Sequence, residues 1–174
     1  MPYEPWQPGM RMTANRLLSI SPTWQDWVPV WTTSTGAATP TFGNATILAR
    51  YAQTATLVVF RLEITFGSTT AFGGGGASDN WRFSLPVTAA GTALIAGSGE
   101  AQDSATGGTP SSVRIPLRPR LTGTTTLELE ISGGGTGFAG GYAATPTGLI
   151  DAATPFTWAT TDAIRIRGEY EAAA

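Results

Sequence analysis

Residues 56–66 read TLVVFRLEITF, residues 67–80 GSTTAFGGGGASDN and residues 81–86 WRFSLP. In the first run Phe60, Leu62, Ile64 and Phe66 fall on one face, and Arg61, Glu63 and Thr65 on the other. Trp81, Phe83 and Leu85 repeat the scheme around Arg82 and Ser84. A period of two is the side-chain repeat of a pleated strand with one buried and one wetter face. The stretch therefore predicts two strands whose apolar faces enter a common core. The connection between them, Gly67 to Asn80, carries no catalytic apparatus and is expected to be an exposed tip.

The same reading extends along the chain. Further strands are predicted at 28–33, 45–52, 93–96, 113–118, 125–132 and 163–171, separated by turns rich in Gly and Thr, as in a sandwich or barrel. Pro29 argues against a helix through Trp24, Trp27 and Trp31 despite their spacing. Trp27, Trp31, Trp81 and Trp158 are assigned to the core. The expected architecture is all-β: an antiparallel β-sandwich, jelly-roll-like, over residues 23–174, with a short N-terminal helical arm over residues 1–22.

The arm differs in kind. Pro2, Pro5 and Pro8 impose an extended lead-in. Thr13 fits a helix N-cap, and Met12 and Leu17 fit the two positions of a hydrophobic staple. The helix would run from Ala14 to about Ile20 before Pro22. Two turns do not persist alone in water, since isolated helices below about 12 residues are marginal. The arm must therefore dock, and Trp6, Met10, Met12, Leu17 and Leu18 are its candidate contact residues. Trp6 has no local core to enter and is expected to meet a neighbouring chain.

Composition narrows the chemistry. The chain has 174 residues, a net charge of −2 and only 13% charged residues, which gives little electrostatic pull on nucleic acid or anionic lipid. It contains no Cys and no His, and all ten basic residues are Arg. Thiol chemistry is excluded, as is the usual proton shuttle and commonest metal ligand. The opening MPYEPWQPGMRM has no basic region followed by an apolar core, so no secretory leader is expected. No apolar run approaches the roughly 20 residues of a membrane span, so no membrane insertion is expected.

The candidate sites are correspondingly few. Glu128 and Glu130 are closely spaced carboxylates, but alternation places both on one face, expected to be solvated. A general acid needs a cleft and a raised pKa. Their expected partners are the arginines of 163–171, should the two strands be neighbours. Asp79, Asn80 and Asp103 fall short of the six to eight oxygens of a calcium site and suit turns. Gly73–Gly76 lacks the Lys-Ser/Thr of a phosphate loop. No His can activate a Ser or Thr. Neither enzyme activity, metal nor cofactor is expected. Phe72, Asp79, Asn80, Phe138 and Tyr142, in Gly-rich loops, are the candidate ligand contacts, since loops on rigid scaffolds often carry binding.

Several segments together resemble small virion proteins of tailed phages that infect actinobacteria, of the tail-fibre, minor-tail or decoration type. They are PGMRMTANRL at 8–17, WVPVWTTSTGAATPTFGNATILARY at 27–51, FRLEITFGSTTAFG at 60–73, WRFSLPV at 81–87 and PFTWATTDAIRIRGEYE at 155–171. One departure is that Leu17 is followed by Leu18, where such attachment segments carry Asn. The resemblance implies location in the virion, attachment to other virion proteins through the N-terminal arm, and a homotrimer. It further implies a β-domain facing outward, with a host-surface glycan as its ligand, or else a capsid decoration or head-fibre role without one. It supplies no catalytic residue, and residues 92–150 match only loosely.

Overall fold

Phe60, Leu62, Ile64 and Phe66 do share one buried face, and Arg61 and Glu63 lie on the other. The computed structural model describes residues 9–11, 13–14, 21–74, 79–93, 95–104, 113–132 and 148–173. Among them are nine strands: β1 (Gln25–Asp26), β2 (Trp31–Thr33), β3 (Thr46–Thr54), β4 (Leu57–Thr65), β5 (Trp81–Ser84), β6 (Gly97–Asp103), β7 (Val113–Arg120), β8 (Thr126–Ile131) and β9 (Ala163–Glu171). They form one antiparallel sheet in the order β1-β3-β4-β9-β6-β7-β8-β5-β2. The chain is thus all-β. The predicted helix lies, apart from Ala14, outside the described residues, as do Trp6, Met12, Leu17, Leu18, Phe138 and Tyr142.

The sheet is strongly curled, and the reason sits between β1 and β2. These strands occupy opposite ends of the sheet, yet only Trp27–Val30 separates them in the chain. Five Cα steps reach at most about 18 Å, so the two ends must lie close together. The backbone changes partner around Pro29, which is buried. The N–H of Trp27 donates to Ala49 O at 3.1 Å, beside β3, and Val30 O accepts from Ser84 N at 2.9 Å, beside β5. Val30 N–H donates to Ser84 Oγ. A proline has no N–H to leave unpaired at such a corner.

Curling brings inner faces together in a single core built around aromatic rings. Trp31 of β2 stacks on Phe66, just past β4, at 5.6 Å and on Phe83 at 5.8 Å, and meets Trp81 edge-on at 4.7 Å. Trp158 lies 5.0 Å from Trp81 and 5.4 Å from Phe66. Trp31, Trp81 and Trp158 are buried, as the sequence led one to expect, and Trp27 is half-buried against the cluster. Offset and edge-on ring pairs contribute about 0.5–1.5 kcal/mol each beyond area burial.

The strand predicted at 93–96 is instead β6, immediately after it. The segment GSGEAQD has one inward apolar side chain, Ala101, and so no apolar alternation. Its inner face is filled by its neighbours: a Cβ at Gly99 would stand 2.5 Å from Ile166 Cγ2. Across the ladder, a Cβ at Gly168 would stand 1.9 Å from Ala96 O and 2.9 Å from the Phe60 ring. Glycine here admits a close backbone approach and a ring from the adjacent strand.

Two prolines lie inside β7, an interior strand. The Pro116 carbonyl accepts from Ser132 N, just past the end of β8, and the Pro119 carbonyl accepts from Ala96 N, just before β6. The N and C=O of a strand residue point the same way, so each proline turns its missing donor beyond the end of a neighbouring strand.

Candidate binding face

The loop candidates come first. Phe72 is half-buried: its ring stacks against Trp81 at 6.2 Å and meets Phe66 edge-on at 5.0 Å, and its carbonyl accepts from Trp81 Nε1. Ala71 pairs with Thr41 in both directions, and Asn44 and Thr69 are cross-bonded. The described part of 67–80 is therefore tied to the core at Phe72 and to residues 41–44, while Ser68, Thr69, Ala71, Gly73 and Gly74 stay exposed. Asp79 is buried, with Oδ1 accepting from the Thr35 N–H at 2.9 Å and the Thr35 hydroxyl at 2.5 Å. Burial alone would push this carboxyl up, but the hydrogen bonds from Thr35, with those of Thr33 and Ala38, hold it below its ordinary 3.8. Asn80 is half-buried and its N–H donates to Ser34 Oγ. Met10 is exposed.

Two other buried aspartates do similar work in turns. Asp151 Oδ1 accepts from Ala153 N, and Asp162 accepts from Ser104 and from Ala159 N. Asp residues that bind local backbone N–H groups hold turns in place. Asp103, also weighed for calcium, ends β6 in register with Val113.

Glu128 and Glu130 are not solvated, which corrects the expectation from alternation. β8 is bounded by β7 and β5, not by β9, so the expected pairing with Arg165 and Arg167 does not form. Arg82 Nε instead donates to Glu128 at 2.7 Å, and Arg118 Nε donates to Glu130 at 2.9 Å, with Arg120 at 3.5 Å. Both carboxylates are buried and charge-paired. Glu130 in turn raises the pKa of Arg118 by hydrogen bonding and charge.

The outer face of β4, β9 and β6 is different. Alternation turns Val59, Arg61 and Glu63 of β4, Arg165, Arg167 and Glu169 of β9, and Ser98 and Glu100 of β6 outward. Register then sorts them into rows. Glu63 stands opposite Arg165 and Arg165 opposite Glu100, with Arg165 bonded to Glu100 at 3.1 Å and to Gln102 at 2.6 Å. The next row runs Asp26, Arg50, Arg61, Arg167, Ser98. Arg50 is paired with Asp26 at 2.9 Å. Arg61 and Arg167 face each other, and among the described residues neither has an ion pair.

Above this row lies Trp24, 44% exposed, its ring 5.9 Å from the Arg61 guanidinium carbon. Two adjoining grooves of about 740 Å³ and 580 Å³ share Trp24, Ser98 and Arg167. The larger is rimmed by exposed Leu57 and Ile95, and the smaller is walled by Arg61, Glu63, Glu100 and Arg165. The alternation in sequence does place Arg61 and Arg167 outward. Their juxtaposition follows only from the β4–β9 register, between strands far apart in the chain. No family model matches the chain, and no curated protein or solved structure matches it either.

Proposed function

We propose that the chain is a non-enzymatic virion structural protein of the tail-fibre or minor-tail type of tailed phages. It docks on the particle through its N-terminal arm and presents the β-domain to a saccharide on the host surface. The observation that carries the binding half of this reading is the groove under Trp24. An exposed indole beside charged hydrogen-bonding groups suits the apolar C–H face and the hydroxyls of a sugar. The particle half comes from the resemblance of the segments at 8–17, 27–51, 60–73, 81–87 and 155–171. In this reading the two halves of the curled sheet act as the layers of a jelly-roll-like sandwich, a packing favoured by the stacking of Trp31 on Phe66. The helical arm is Trp6 to Leu18, and the assembly is a homotrimer. Adsorption of phage to host cells tests the proposal: excess purified protein should block it. Unimpaired adsorption, with no binding of the protein to cells, would reject the adhesin.

The second reading is a capsid decoration or head-fibre protein without a host ligand. It is favoured by Val28 and Val30, which are 89% and 59% exposed at the sheet corner and suit a contact with another subunit. Particles carrying the chain on the head, together with normal adsorption in its absence, would select it.

A further inference from the structure

We infer that the Arg61–Arg167–Ser98 row is an anion site, and that the groove takes an acidic saccharide, a sugar chain bearing a carboxylate, phosphate or sulfate. The inference rests on the saccharide-binding half of the proposed function and not on the virion assignment.

Charge matching on the rest of the sheet makes the row stand out. Among the described residues, Arg82 faces Glu128, Arg118 faces Glu130, Arg165 faces Glu63 and Glu100, and Asp26 faces Arg50. Among the same residues, like charges stand directly opposite only where Arg50, Arg61 and Arg167 line up across β3, β4 and β9. Directly opposed like charges destabilise a ladder. Asp26 neutralises Arg50 and leaves Arg61 and Arg167 uncompensated. Arg61 is half-buried, and its Nε is buried without a hydrogen-bond partner. The side chain is therefore held against the sheet by Trp24 and not by an acid.

The ligand class follows from what surrounds the row. Two guanidinium groups and the Ser98 hydroxyl, adjacent across β4, β9 and β6, form a donor set suited to an oxyanion. Glu63 and Glu169, the next outward residues on their strands, flank the row, with Glu171 further along the larger groove, and among the described residues none of the three makes an ion pair. They would repel a bare polyanion but can accept hydrogen bonds from sugar hydroxyls. Trp24 supplies the stacking platform. Donors in the middle, acceptors on either side and an aromatic lid match a saccharide with one acidic group better than an inorganic anion.

The test is calorimetric titration of the full chain with four probes at low and high salt. They are a glucuronate-containing tetrasaccharide, a sugar phosphate, the uncharged counterpart of the tetrasaccharide, and inorganic sulfate. At least one acidic sugar should bind about tenfold or more tightly than the neutral counterpart and than sulfate, and should weaken as salt screens the arginines. Arg61→Gln and Arg167→Gln should each remove that preference. Trp24→Ala should weaken the acidic sugars without restoring neutral binding. Circular dichroism of each variant confirms that it is folded. Equal binding of neutral and acidic sugars, or unchanged affinity in both arginine variants, would overturn the anion site while leaving saccharide binding in place. Sulfate binding as tightly as the sugars would overturn the saccharide assignment. No binding by any probe, in a protein that still blocks adsorption, would overturn the inference and spare the proposed function.

Discussion

The indole N–H of Trp81 donates to the backbone carbonyl of Phe72 at 3.2 Å while the two rings lie nearly parallel, 16° apart. One strand residue thus fixes both the backbone and the side chain of the Gly-rich segment beside it. Phe72 is thereby tied to the aromatic core.

Phe72→Ala should accordingly lower stability by about 1–3 kcal/mol, below the roughly 3–5 kcal/mol of a fully buried Phe, since the ring is only half-buried. Urea unfolding followed by Trp fluorescence measures it. A ring serving only as a ligand contact would leave the midpoint unchanged.

The Thr35–Asp79 pair sets an acid limit. The folded-state pKa of Asp79 lies below its ordinary 3.8. Its contribution to stability is therefore complete above the unfolded value and is lost as pH falls through the folded one. Thr35→Val deletes the hydroxyl but keeps the backbone N–H donor. It should cost about 1.5–3 kcal/mol at neutral pH, the typical worth of a hydrogen bond to a charged group. The difference from wild type should shrink as Asp79 protonates below pH 3.8. Unfolding midpoints from pH 2 to 7 give the comparison.

At the alkaline end Tyr170 governs. Its hydroxyl donates to Val87 O at 2.7 Å and accepts from Val87 N at 3.2 Å. Burial, with a smaller contribution from Tyr51, pushes its pKa up to about 12 from 10.0. A raised value means that stability is intact below pH 10 and falls as the unfolded-state phenol ionises, by about 1.4 kcal/mol per pH unit up to the folded pKa. Tyr170→Phe should be less stable at neutral pH, yet lose less between pH 10 and 12. Parallel slopes for the two proteins would contradict the assignment.

Strand existence was legible wherever an apolar face alternated with a polar one, as in β4, β8 and β9. β6 was not, because its inner face carries glycines, with Ile166 of β9 packed over Gly99. β1 was missed because two exposed residues carry no pattern. Solvation of Glu128 and Glu130 could not be judged from alternation, which gives the face but not what covers it. Three arginines from two neighbouring strands pair with them. The candidate site had the same obstacle. Arg61, Arg167 and Ser98 each read as outward residues, but only long-range register makes them neighbours.

Quantitative mass spectrometry of gradient-purified phage particles tests the proposed role of this chain as a structural component of the particle. The expected result is the chain in fixed ratio to the other structural proteins, lost from the particle when residues 1–22 are deleted although the remaining domain still folds. Finding the chain abundant in the lysate and absent from purified particles would contradict it.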